Sequence, residues 1–184
     1  SLADAECLFA SQLASRMRCH DKQWRRDVVA AVITSIDAGW SPACDDVPAR
    51  VGQWGVLKTT SVQWGSFLPH ENKALPATLE PRPELGVCKD DILVTRAGPL
   101  KRVGVVTCVP ANWPRLTISD KLIRLRADNS AIDPEFLALC LASPYSQDYL
   151  LHRKTGLADA QVNISQAILR EAPIAYPDLS AQHQ

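Results

Sequence analysis

With 184 residues, 46% of them hydrophobic and 22% charged, the chain is long enough to bury one substantial core and has the composition of an ordinary globular domain. Twenty basic and twenty acidic residues cancel, which argues against a simple polyanion-coating protein. No apolar stretch reaches membrane-spanning length and no charged-then-apolar leader opens the sequence, so no membrane association and a cytoplasmic location are expected.

Residues 2–24 read as a helix, with Ala5, Phe9, Leu13 and Met17 recurring every four positions. Arg16, Arg18, Lys22, Arg25 and Arg26 load its carboxyl end, where cations suit the helix dipole. Residues 28–36 are β-branched and read as a strand, and 37–55 as a loop rich in Gly and Pro. A short strand over 54–57 leads into Lys58-Thr59-Thr60-Ser61. The stretch 69–83 is irregular, with Pro69, Pro76, Pro81 and Pro83. Strands are expected near 91–95, 103–109 and 121–126, with a loop running through Pro114. Asp133-Pro134 starts a helix, Asp as cap and Pro at the first turn, and Phe136, Leu137, Cys140 and Leu141 form its apolar face. Pro144 ends it, a second helix covers 145–154, and Gly156 breaks that one. Asn163 to Ser165 caps a short helix through Leu169, and 173–177 exits as an extended strand. Strands first and helices later, without βαβ alternation, predict an α+β domain with a mixed, largely antiparallel sheet flanked by helices.

Charge distribution says more than its sum. Between residues 95 and 126 stand seven basic residues (Arg96, Lys101, Arg102, Arg115, Lys121, Arg124 and Arg126) against one acid, Asp120. A cationic surface on a neutral body fits an anionic partner met in one orientation; ordinary strand-face charges are the plainer explanation. Lys58, Thr59, Thr60 and Ser61 add an ammonium and three hydroxyls. Arg can fork onto guanine edges, and Lys and hydroxyls can take phosphates.

Tools for catalysis are sparse. None of the four histidines sits in a hydrolase or metalloprotease context, neither glycine-rich phosphate loop occurs, and the chain has no Pro-Pro pair. The six cysteines show no Cys-x-x-Cys spacing and read as small buried hydrophobes. Glu71-Asn72-Lys73 is a nuclease-like Glu-x-Lys triplet that could hold Mg²⁺ beside an upstream Asp such as Asp37, Asp45 or Asp46.

Four stretches, in order, resemble a target recognition domain from the DNA specificity subunit of type I restriction–modification systems. They are Trp54 to Val62 with Glu71 to Pro76; Asp91 to Gly98 leading into Val103 to Val106; Ser119 to Arg126 with Ile132 to Leu137; and Gly156 to Ser165 ending in Pro173 to Gln182. One departure is Asp90-Asp91 where the family usually has Gly-Asp. The resemblance implies a recognition domain over 28–180, a helical arm over 1–27 and the start of a spacer segment at 181–184. It implies no catalysis and no cofactor in this chain, double-stranded DNA as ligand, and a methyltransferase subunit as partner, joined by a restriction subunit and by a second copy or second recognition domain. Phosphate contacts are expected from Lys58, Lys101, Lys121 and Arg124, and base-edge contacts from Arg96, Arg102, Thr60 or Ser61, with Thr59 a further DNA-binding residue of the same turn. Rival expectations are a recognition domain severed from a fused methyltransferase–endonuclease, and a protein-interaction module with no DNA role.

Overall fold

The structure, a computed structural model, describes residues 2–16, 24–158 and 160–182. Helix α1 (Leu2–Arg16) precedes β1 (Arg25–Val28), β2 (Ile33–Ala38), β3 (Gly55–Leu57), β4 (Val62–Gln63), β5 (Ser66–Phe67) and β6 (Asn72–Ala74). Next come β7 (Gly86–Val87), β8 (Ile92–Thr95), β9 (Ala97–Gly98), β10 (Val106–Cys108), β11 (Trp113–Thr117) and β12 (Leu122–Ala127). Helices α2 (Pro134–Ala142) and α3 (Pro144–Leu151), strands β13 (Thr155–Ala158) and β14 (Gln161–Asn163), helix α4 (Gln166–Arg170), strand β15 (Pro173–Tyr176) and helix α5 (Leu179–Gln182) complete the order. The expected first helix is described to Arg16; its predicted continuation over 17–23 lies outside the described residues.

Three consecutive residues show how the domain is layered. Ile92 and Val94 point to one side of β8 and Leu93 to the other, as strand alternation requires, and all three are fully buried. Ile92 and Val94 join a core with Ile123 and Leu125 of β12 and Phe136, Leu137, Cys140 and Leu141 of α2. Leu93 joins a second core with Leu122, Val87, Leu57, Leu116 and Ile118. The sheet β10-β8-β12-β2 is therefore covered on one face by helices and on the other by a second sheet, β6-β3-β11-β7. Every described strand pair is antiparallel except β11 with β3. The fold is α+β with mixed, largely antiparallel sheets.

Local chemistry sets the element ends. The Asp133 carboxylate accepts from the Phe136 amide at 2.9 Å with Pro134 in the first turn, so α2 starts where Asp-Pro predicts. Asp90 takes φ +68°, so the turn before β8 keeps the left-handed geometry that glycine favours although Asp stands there. Asp is among the few side chains that tolerate it.

Four expectations need correction. Residues 113–117 form a strand rather than a loop: Pro114 and Arg115 face solvent while Leu116 and Thr117 pack inward. Within the proline-rich 69–83 stretch, β6 pairs with β3. The second helix stops at Leu151, so Gly156 does not break it; Gly156 lies in β13, paired with β14. Ser165, not Asn163, caps α4, its hydroxyl accepting from the Ile168 amide at 3.1 Å.

Candidate nucleic-acid interface

A groove of about 500 Å³ opens between the 41–44 loop, the end of β3 with the Thr59–Ser61 turn, β6, and the turn before β12. Its walls carry Lys58, Thr59, Thr60, Lys73, Ser119 and Lys121, and no carboxylate lines it. The chain positions these groups as follows. Strand β3 ends at Leu57, whose buried side chain anchors the strand and delivers Lys58 to the rim. The hydroxyl of Ser41 donates to Asp120, and the Asp120 amide donates back to that hydroxyl at 3.2 Å, which ties the 41–44 loop to the turn bearing Lys121.

The expected site residues divide into two groups. Lys58, Thr59, Thr60 and Lys121 share the groove. Arg96 stands beside Lys121, its amide donating to the Lys121 carbonyl at 2.9 Å. Lys101 is exposed on the neighbouring turn. Among the described residues, Lys101 and Lys121 have no carboxylate partner within 4.0 Å.

Three residues belong to the interior instead. Arg124 is 2% exposed; its guanidinium donates to Asp37 Oδ2 at 3.0 Å, the Gly86 carbonyl at 2.6 Å and the Glu84 carbonyl at 3.1 Å, with Asp91 Oδ2 at 3.9 Å. It faces the layer between the sheets, on the side of Leu93 and Leu122, and is no surface cation. Ser61 is fully buried and donates to the Lys58 carbonyl at 2.7 Å, closing the turn. Arg102 folds back onto the chain: Nη1 donates to Gln63 Oε1 at 3.0 Å, and Nη2 to the Thr59 and Val62 carbonyls at 2.8 and 2.5 Å. It holds the 59–62 backbone against the 99–102 turn. Of the other cations in the 95–126 stretch, Arg126 donates to buried Asp91 at 2.8 Å and Arg115 to the Gly52 carbonyl.

Two groove lysines are paired from outside the lining. Glu71 accepts from Lys58 at 2.9 Å and from the Thr60 hydroxyl, and these two contacts, the hydroxyl foremost, hold its carboxyl below the ordinary value. Lys73 pairs with Asp46 at 3.1 Å. Such partly exposed pairs are weak and exchangeable. The middle of the Glu71-Asn72-Lys73 triplet is structural, since the buried Asn72 amide bonds the Ala49 amide and the Pro69 carbonyl. Among the described residues no group of three His, Cys, Asp or Glu side chains is placed to hold a metal ion. Burial raises the Cys44 thiol above its ordinary value, so it lines the groove protonated. The groove offers ammonium groups and hydroxyls, which suit contact with phosphate and sugar.

No family model matches the chain. Over 161 residues, 87% of its length, it is 46% identical to the EcoEI type I restriction enzyme specificity subunit of Escherichia coli, of which this covers 27%. The chain thus spans about a quarter of that curated relative. Among solved structures it is similar to a chain from a study of complex assembly and conformational transition in a type I R-M system, with a TM-score of 0.64, 19% identity, and coverage of 99% of this chain and 42% of that one. It is also similar to the HsdS subunit from Thermoanaerobacter tengcongensis, with a TM-score of 0.58, 20% identity, and coverage of 99% and 41%. Among the described residues no helix is long and apolar enough to cross a membrane. By sequence over most of its length, and by fold throughout, the chain is a relative of the specificity subunits of type I restriction–modification systems.

Proposed function

We propose that this chain recognises double-stranded DNA, reading one half of a bipartite site as all or part of a type I specificity subunit. Methyl transfer and cleavage then reside in partner subunits, a methyltransferase and a restriction subunit, and this chain directs them. The observation that carries the reading is the convergence of Lys58, Thr59, Thr60 and Lys121 on one groove without a lining carboxylate, in a chain with this kinship. Lys58, Lys101 and Lys121 contact phosphates; Thr59, Thr60 and Arg96 lie within reach of base edges. Arg102, Ser61 and Arg124 act from behind, as supports of the loops.

Selection from a random duplex pool tests this, with the purified chain alone and with a type I methyltransferase subunit. Enrichment of a defined half-site is the expected result. No enriched sequence in either arm contradicts it. If replacing Lys58 and Lys121 with Ala abolishes a protein complex and leaves duplex binding unchanged, the protein-interaction alternative is correct.

A further inference from the structure

Asn163 and its neighbour Gln161 had no expected role beyond helix capping, and Ser165 fills that role instead. The pair sits on β14, the middle strand of the small sheet β13-β14-β9. Val162 between them is buried, as is Ile164 beyond, while Gln161 and Asn163 are exposed. Strand alternation puts the two amides on one face, turned to solvent.

This sheet is joined directly to the groove. The Arg96 amide donates to the Lys121 carbonyl at 2.9 Å, and the Ile164 amide donates to the Arg96 carbonyl at 2.9 Å. Lys121, Arg96 and Ile164 therefore form one hydrogen-bonded row across three chain segments. At about 4.8 Å per strand, the strand bearing Asn163 lies about 10 Å from Lys121. A DNA major groove is about 12 Å wide and admits a two-stranded β-ribbon. A lysine holding a phosphate at one wall of that groove would set the β13–β14 ribbon over the base edges. Arg153 and Lys154 stand at the foot of the ribbon, with Lys154 donating to the Leu100 carbonyl at 3.1 Å.

We infer that the β13–β14 ribbon is the base-reading element, with Gln161 and Asn163 recognising the edge of adenine; this rests on the DNA-recognition reading above. Asn and Gln amides match adenine because each presents a donor beside an acceptor, as adenine does at N7 and N6. The Asn163 amide is already oriented: its Oδ1 accepts from the Thr155 hydroxyl at 3.2 Å and its Nδ2 donates to the Thr155 carbonyl at 3.4 Å. Thr155 thus holds the amide by the edge that carries oxygen and nitrogen side by side, and Asn163 meets adenine by exchanging the exposed Thr155 for the base. Gly156 keeps the ribbon closed, because a Cβ there would lie 2.3 Å from the Gln161 carbonyl oxygen.

The test compares duplex selections by the full chain with its methyltransferase subunit, for wild type, Gln161→Ala and Asn163→Asp. The expected result is lost preference at one base position for Gln161→Ala, a drop of roughly 5- to 150-fold in discrimination. Asn163→Asp should shift a preferred adenine towards cytosine, whose amino group a carboxylate accepts. Gln161→Ala should leave the salt dependence and the unfolding midpoint unchanged, whereas Lys121→Ala should weaken all sequences alike. If both variants keep the wild-type preference, or lose affinity uniformly, the ribbon assignment is wrong while DNA recognition stands. If wild type itself selects no sequence, both fall.

Discussion

Arg124 shows how far a residue type can mislead. In sequence it alternates with Leu and Ile and looks like one cation of a basic face. In the fold it faces inward, because its strand is covered on both sides and carboxylates wait on the flanking strands: Asp37 on β2 and Asp91 beside β8. Nothing in the composition of residues 122–126 distinguishes that case; the signal lay in Asp91, a carboxylate next to an apolar run, 2% exposed and accepting from the Cys88 amide at 2.9 Å. Arg124→Ala takes the donor from the buried Gly86 carbonyl, the Glu84 carbonyl and Asp37, while Asp91 keeps Arg126 at 2.8 Å; it should cost about 1–3 kcal/mol, read as a lower denaturant midpoint. A loss below about 1 kcal/mol would mean that water enters and replaces the guanidinium. Glu71 makes the opposite case, a surface acid that restrains a lysine of the groove. Its folded value lies below the ordinary one near 4.5, so the stability it contributes is present above that pH and is lost as pH falls through the depressed value. The stability difference between wild type and Glu71→Gln should therefore be constant at neutral pH and vanish in acid. The same variant releases Lys58 and should tighten duplex binding by about two- to fivefold, the scale of an exposed pair. Unchanged or weaker binding would remove Lys58 from the interface.

At the scale of elements, the readable ones carried their own physics. Asp133-Pro134 caps α2 through a carboxylate that needs nothing distant, and the Ile92 to Val94 run required burial on both faces. The β13–β14 ribbon was not readable, because Gly156 has two meanings: it breaks a helix, and it also permits two backbones to approach more closely than any side chain allows. Only the partner strand decides between them. Strand β11 hid for a similar reason, since Pro114 argues against a strand until its neighbours show that it faces solvent. The placing of α1 also depends on one glycine. Phe9 stacks on Trp64 with centroids 6.4 Å apart, and a Cβ at Gly65 would lie 2.3 Å from the Phe9 ring. Gly65 also has φ +65°. Gly65→Ala should release α1 from the domain at a cost of about 1–3 kcal/mol, seen as altered tryptophan fluorescence and faster proteolysis within residues 2–16. Unchanged fluorescence and proteolysis would mean that Phe9 is not what holds the helix.

For the whole molecule, zero net charge proved the weaker guide and local excess the better one, with a correction. The seven cations of residues 95–126 do not form one continuous face. Arg124 and Arg126 neutralise Asp37 and Asp91 within the sheets, Arg102 and Arg115 bind backbone carbonyls, and among the described residues Arg96, Lys101 and Lys121 have no carboxylate within 4.0 Å. Lys58 and Lys73 join Lys121 from outside that stretch, brought there by β3 and β6. The groove is therefore assembled from segments far apart in sequence, and the parallel β11–β3 pairing that helps build it left no local signature. A small set of phosphate contacts on a neutral body predicts binding that depends on salt, moderately and countably. The most direct measurement is duplex affinity of the complex with its methyltransferase subunit against salt concentration, for wild type and for Lys58→Ala and Lys121→Ala. A linear fall of log affinity with log salt, whose slope each variant makes shallower by about 1, is the expected outcome. A slope that neither substitution changes would contradict the groove as the place where this chain meets DNA.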